Sequence, residues 1–370
     1  MKKLIWAVVV VGVILFVWMY LSNNSKSGDN SATIGSIVFV TGDQAALGEE
    51  VQNSLLLASK NVSSDLKINL LIEDSRDDPK EALSIYNKFK AQNVPVIIST
   101  GDQVSYALSP VANKDKIPLL MTVTAATETE GEYTFRAFIT AKQQAEIMGN
   151  YSIDKLGYKN PALLYINNVY GESYKNTLSQ TLKKRSIDLV SSESYGVADM
   201  DMKTQIIKTI SQKPDVIFVA GFGPAYSVIF NQIRQFGWTG DILADNTLSV
   251  PYFFNSINLK YKDRIYFTDT AFSLELPTND KMTAFIKSYK DEYKTNPSFI
   301  GAFAYDLYSV LSEIINKCGA NSEAIKGCMS EVKERDGVLG RVSFFNQAMQ
   351  VPIYIKNVVN GVVGVVEEIK

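Results

Sequence analysis

From Thr33 to Thr268, apolar runs of strand length alternate with stretches of helical pattern. Few folds admit that order. A strand that returns through a helix lies parallel to the one before it, so such a chain builds a parallel sheet with helices on both faces. Residues 34–40, 68–72, 94–98 and 118–121 read as the first four strands. The first ends in Thr41-Gly42, and a helix follows from about Gly48. Before the second helix, Asp78 is an N-cap, Pro79 holds the first helical position and Glu81 completes a capping box.

Residues 134–139 form an extended stretch that can cross to a second lobe, and the alternation then restarts. Helical patterns at 141–156, 170–185, 203–212 and 224–236 separate strands at 162–166, 189–195, 216–220, 241–244 and 264–268. After Asp269 the pattern changes to three helices in a row, at 279–293, 298–317 and 322–332. Three strands close the chain at 341–345, 351–358 and 362–367, with Asn360-Gly361 as a hairpin turn. With 370 residues the chain exceeds one compact core, so two lobes are expected.

Composition removes several function classes. A net charge of −2 with no long basic run argues against nucleic acid as a partner. The chain has no histidine, which removes Ser-His-Asp and Cys-His nucleophiles and the commonest metal ligand. Gly221-Phe222-Gly223 follows a strand as half of a dinucleotide loop, but the third glycine is absent and there is no P-loop. No enzyme, no metal and no cofactor are expected. The two cysteines, Cys318 and Cys328, have the wrong spacing for a CxxC motif. They read either as two unrelated buried thiols or as a disulfide closing a loop between two helices, the second being favoured outside the cytoplasm.

The N-terminus carries an address. Lys2-Lys3 precede an uncharged apolar run at 4–21, and a polar tether follows at 22–29. The run approaches spanning length, and no A-x-A cleavage pattern or lipid-attachment cysteine accompanies it. Residues 1–30 are read as an uncleaved signal anchor and tether, with the lysines inside and the rest extracytoplasmic. The alternative is a cleaved signal peptide and a secreted or periplasmic protein.

The stretch 97–127 is the most informative about function. If its two apolar runs are neighbouring parallel strands, their carboxyl ends share one edge, with Ser105 and Thr127 near the starts of two helices. Free N–H groups and the helix dipole make that edge an anion site suited to a small carboxylate.

Several segments in this order carry a resemblance. They are Thr41-Gly42 through Leu47-Gly48; Asp74 with Asp78-Pro79-Lys80-Glu81-Ala82; and Gly101-x3-Ser105-x3-Ser109-Pro110. Thr124-Ala125-Ala126-Thr127, Tyr170-Gly171, Tyr305-Asp306 and 340–344 follow. The chain resembles the type I periplasmic binding proteins of the branched-chain amino acid (leucine/isoleucine/valine) class, the solute receptors of ABC importers, from about Ile34 to its end. The resemblance implies an α/β fold of two doubly wound, Rossmann-like lobes joined by three hinge strands. Lobe one would be 34–136 plus 270–345, and lobe two 137–269 plus 346–370. It implies a small-molecule ligand bound by hinge closure, and ABC permease and ATPase subunits as partners.

The resemblance also assigns roles. Ser105 would hold the ligand carboxylate, with Ala125, Ala126 and Thr127 adding backbone and hydroxyl contacts; Ser105 and Thr127 read equally as helix caps. Tyr170 would cover the ligand, and Phe222 and Leu47 would be wall residues where relatives often carry tyrosine. Amino-acid-binding members place an acid at the position of Asn246, with Asp245 adjacent here. If Asp245 faces the cleft, an amino acid fits; if Asn246 does, an uncharged or differently charged solute is favoured, because a buried ammonium needs a charged partner. A ligand-sensing protein of the same fold, taking an amide or aromatic acid, is the alternative to uptake.

Overall fold

The computed structural model describes residues 31–42, 44–125 and 131–369. The expected anchor at 1–30 lies outside the described residues, as do Ala126 and Thr127. Among the described residues no helix is long and apolar enough to cross a membrane.

The first lobe opens with β1 (Ser31–Val38), α1 (Ala45–Asn61), β2 (Lys67–Asp74), α2 (Pro79–Ala91), β3 (Ile97–Thr100), α3 (Asp102–Asp115), β4 (Leu119–Thr122) and β5 (Thr134–Ala137). The second contains α4 (Ala141–Asp154), β6 (Pro161–Ile166), α5 (Val169–Lys183), β7 (Ser191–Tyr195), α6 (Lys203–Ser211), β8 (Val216–Ala220), α7 (Pro224–Gln235), β9 (Asp241–Ala244), the short α8 (Pro251–Ser256) and β10 (Ile265–Thr270). The chain then supplies α9 (Asp280–Tyr293), α10 (Phe299–Cys318), α11 (Ser322–Met329), β11 (Arg335–Gly337), β12 (Gly340–Phe345), β13 (Ala348–Gln350), β14 (Ile353–Val359) and β15 (Val362–Ile369).

Two sheets form. One has eight strands in the order β11-β12-β13-β5-β4-β3-β1-β2, and the other seven in the order β15-β14-β10-β9-β8-β6-β7. Within each, the five strands of the βα series pair in parallel. Each series has its order reversed once, between β1 and β3 in lobe one and between β6 and β8 in lobe two. In open α/β sheets the crevice beyond such a switch point is where ligands bind. The α/β, two-lobed fold expected from the alternation is therefore present, with both switch points opening at carboxyl strand ends.

The third crossing differs from the boundary expected at 345/346. Asn346 and Gln347, both at positive φ, form the turn between β12 and β13, and β13 still pairs with β12 and β5 of lobe one. The chain passes to lobe two at Val351-Pro352, before β14 pairs with β10. The first crossing leaves β5 and enters α4 through a full capping box: Thr140 Oγ1 accepts from the Gln143 N–H, and Gln143 Oε1 from the Thr140 N–H. The box expected at α2 is half made. Asp78 Oδ1 accepts from the Lys80 and Glu81 N–H groups, but the Asp78 N–H donates to Ser75 O rather than to Glu81. Cys318, at the end of α10, is disulfide-bonded to Cys328 in α11.

Two glycines set the switch-point helices. A Cβ on Gly48 of α1 would lie 1.9 Å from Phe39 O, and one on Gly171 of α5 would lie 1.8 Å from Ile166 O. Both helices thus start against the carbonyl at the end of the preceding strand, and backbone leaves no room for a methyl. Gly48→Ala is expected to cost about 2–3 kcal/mol through forced displacement of the helix start. Urea unfolding checks it; a loss of under about 0.5 kcal/mol, the scale of a neutral surface change, would disprove the close approach.

Candidate functional site

The loops at both switch points face one another across a cleft of about 800 Å³. Lobe one contributes Phe39, Gln44 and Leu47 after β1, Asp77 and Pro79 after β2, Gly101, Asp102, Gln103 and Tyr106 after β3, and Val123 and Ala125 after β4. Lobe two contributes Ile166 to Tyr170 after β6, Val197 after β7, Phe222 after β8, and Asn246, Thr247, Val250 and Phe253 after β9. Phe138 at the first crossing and Phe299 and Ile300 at the start of α10 complete the lining. The walls are largely apolar, and the volume falls within the range of small-molecule sites.

The structure distributes the expected site residues unevenly. Leu47, Ala125, Tyr170, Phe222 and Asn246 line the cleft. Tyr170 and Phe222 pack ring to ring, 5.7 Å between centroids, as one wall. Ser105 does not reach the cleft. The helix begins three residues earlier, at Asp102, so Ser105 is not its cap: its N–H already donates to Gly101 O. Its buried hydroxyl bonds Ser99 Oγ at 2.8 Å and Thr124 Oγ1 at 3.0 Å, tying β3 to the loop after β4.

Asp102, which sequence reasoning passed over, takes the place intended for a ligand. Its Oδ1 accepts from the Ala125 N–H at 2.9 Å. A resident carboxylate therefore sits at the N-terminus of α3, where its charge meets the favourable end of the helix dipole. Asp77, also missed, is the second acid. Arg76 and Asp77 both adopt positive φ. The Asp77 carboxylate stands over Gly101, where a Cβ would lie 3.1 Å from Asp77 Oδ1 and 2.9 Å from the Phe39 ring. Burial pushes the Asp77 carboxyl up to about 6, with no hydrogen bond or charge opposing it. The sequence signal is the acidic run 73–78, of which only Asp74 and Asp78 fall in the motifs that carry the resemblance.

Of the neighbouring pair after β9, it is Asn246 that faces the cleft. Asp245 is fully buried beneath it. Asp245 Oδ2 accepts from Tyr170 OH at 2.8 Å and the Gly221 N–H at 2.6 Å, and Oδ1 from Tyr226 OH at 2.8 Å and the Thr247 N–H at 3.2 Å. Desolvation raises its carboxyl to about 6 against the pull of those four donors. The backbone of Asn246 is fixed by its N–H to Gln144 Oε1 at 2.8 Å, whereas its side-chain Nδ2 is buried without a partner.

The profile of the periplasmic binding protein family matches residues 31–361. The chain belongs to that family. It is a binding protein of the type I fold and not an enzyme, as the resemblance read from its sequence implied. Leu/Ile/Val-binding protein BraC3 of Rhizobium johnstonii is 23% identical over 339 residues, covering 84% of this chain and 87% of that protein. Among solved structures, the leucine-binding protein LivK of Thermotoga maritima superposes with a TM-score of 0.79 at 22% identity, covering 91% of this chain and 98% of its own. LivJ of Streptococcus pneumoniae in complex with isoleucine gives 0.77 at 24%, covering 91% and 99%. A solute-binding protein of R. palustris in complex with benzoate gives 0.80 at 16%, covering 91% and 96%. At these identities the likeness establishes the fold and leaves the ligand to the cleft's own residues.

Proposed function

We propose that the protein is the extracytoplasmic solute receptor of an ABC importer, closing two lobes about a small, mainly apolar solute of amino-acid size and presenting the closed form to a permease and its ATPase. The observation that carries this reading is the cleft itself: one cavity lined by the carboxyl strand ends at both switch points, with Phe222 and Tyr170 opposing Phe39 and Leu47. A ligand touching both lobes has more contact in the closed form and shifts the hinge equilibrium by that difference. The names of the relatives, which bind leucine, isoleucine and valine, support the size and apolar character of the solute. The apolar run at 4–21 supports attachment to the cytoplasmic membrane by an uncleaved segment. Of the groups expected to hold a ligand carboxylate, Ser105 is turned inward and the Ala125 N–H is taken, while Ala126 and Thr127 lie outside the described residues, so the apolar character of the solute rests on the cleft walls.

Thermal denaturation of the full chain in mild detergent, screened against amino acids, amides, amines and small organic acids, tests the function. A solute at a hundredfold excess over its Kd stabilises the folded state by about 2.7 kcal/mol. The shift should disappear in Phe222→Asp, which places a charge on the apolar wall. A screen with no stabilising solute, or a shift that survives Phe222→Asp unchanged, would sink the assignment.

A further inference from the structure

The geometry points to an apolar amine as the solute: a monocation without a carboxylate, its ammonium against Asp77 beside the Phe39 ring and a hydrogen-bond acceptor of the ligand against the Asn246 carboxamide. The inference rests on the receptor reading and gives it a substrate class.

Four observations converge. First, the charged residues among the described lining are both acids, Asp77 and Asp102, and no lysine or arginine stands with them. An anionic solute would enter against two carboxylates, with no lysine or arginine in the described lining to attract it, in a largely desolvated site where like charges repel strongly. Second, three of the described positions that would offer a backbone donor to an anion are taken or lack one. Asp102 accepts the Ala125 N–H, Asn168 Oδ1 accepts the Gly171 N–H at the start of α5, and α7 opens with Pro224, which has no N–H to offer. Third, Asp77 has no hydrogen-bond or ion-pair partner among the described residues, and desolvation alone perturbs it. A cation there completes the charge balance, and the Phe39 ring adds a cation–π face. Fourth, Asn246 is 3% exposed, lines the cavity, and keeps Nδ2 unpartnered. A buried donor left unmade costs about 1–3 kcal/mol, so a ligand carrying a carbonyl, ether or hydroxyl oxygen at that point gains from satisfying it. The body between the two polar ends meets Phe138, Tyr170, Phe222 and Phe299.

Matched probes of one shape and opposite charge test this on the full chain by calorimetric titration. They are 2-phenylethylamine against 3-phenylpropanoate and isoamylamine against 4-methylpentanoate, with leucinamide against zwitterionic leucine as a third pair in which only a carboxylate is added. The cationic member of each pair is expected to bind at least tenfold more tightly, leucinamide most tightly because it also offers Asn246 an acceptor. Asp77→Asn, which suits a positive-φ position, should erase the tenfold preference while the unliganded protein melts no lower than the parent at neutral pH, since the amide removes a buried, unpaired charge. Asn246→Leu should remove the advantage of leucinamide over isoamylamine. Tighter binding of the anionic members overturns the amine assignment and leaves the receptor reading standing. A cation preference that persists in Asp77→Asn overturns the role given to that carboxylate and with it the proposal. A shift from neither series also overturns it, and the receptor reading is then decided separately by the wider solute screen.

Discussion

Lys356→Met is expected to lower stability by about 3–5 kcal/mol, because it strands a buried carboxylate at the hinge. Lys356 on β14 and Asp269 on β10 form an ion pair of 2.8 Å, with side chains 6% and 3% exposed. The ammonium also donates to Phe272 O at 2.8 Å, in the segment that leaves β10 for lobe one. Asp269 Oδ1 is held by the Thr270 N–H and Ser249 Oγ. Two of the three crossings thus meet at one pair: the lysine lies just past the third, and the aspartate just before the second. Burial already pushes the Asp269 carboxyl up, chiefly against the pull of Lys356. Without the lysine it rises further. A carboxyl whose folded pKa lies above the unfolded value gains stability as pH falls through the folded pKa, so the deficit should shrink between neutral pH and mild acid. Urea unfolding at pH 7.5 and pH 5 measures both effects. Lys356→Met with Asp269→Leu should recover most of the loss, since an apolar pair of similar volume needs no desolvation. A single-variant loss under about 1 kcal/mol, the scale of an exposed pair, would show that the pair bears no weight in the hinge.

The fold was legible because its signal is repeated. Ten parallel strands and their helices each carry the same pattern, so shifts of two or three residues at the ends, as between the expected 94–98 and the observed Ile97–Thr100, leave the topology intact. The hairpin at Asn360-Gly361 was legible from its dipeptide, and both residues have positive φ. The crossing at Val351-Pro352 was not, because a three-residue strand, β13, has too short a period to register. The site was half legible. Motif order located the loops, but which side chain enters the cleft depends on where a helix begins. A start at Asp102 rather than nearer Ser105 turns the serine to the core and sets a carboxylate on the Ala125 N–H. Asp245 and Asn246 differ by one position, and only the fold says that the first is surrounded by donors. Asp77 belonged to no motif; it matters because β2 ends beside Gly101, a neighbour far off in sequence.

Asp245→Asn should be one of the more damaging single-atom changes in the molecule, costing about 2–4 kcal/mol, as expected when two buried donors lose an acceptor. Each carboxylate oxygen receives two donors, one a tyrosine hydroxyl and one a backbone N–H. An amide nitrogen in place of either oxygen faces both donors with donors of its own. The hydroxyl can rotate to accept, but the N–H of Gly221 or Thr247 cannot. The loss should extend to ligand affinity, because Tyr170 is held by Asp245 and forms the cleft wall with Phe222. Acid gives an independent check. The Asp245 and Asp306 carboxyls both lie at about 6 in the folded protein, raised by burial. The folded state therefore takes up protons before the unfolded chain does, and these two groups favour folding increasingly as pH falls from above 6 towards 4. Asp245→Asn should remove its share of that rise, so the penalty of the variant grows towards pH 5 as it narrows in Lys356→Met. A stability profile for Asp245→Asn that runs parallel to that of the parent between pH 7.5 and 5 would mean that the carboxylate beneath the tyrosine wall carries no titrating charge.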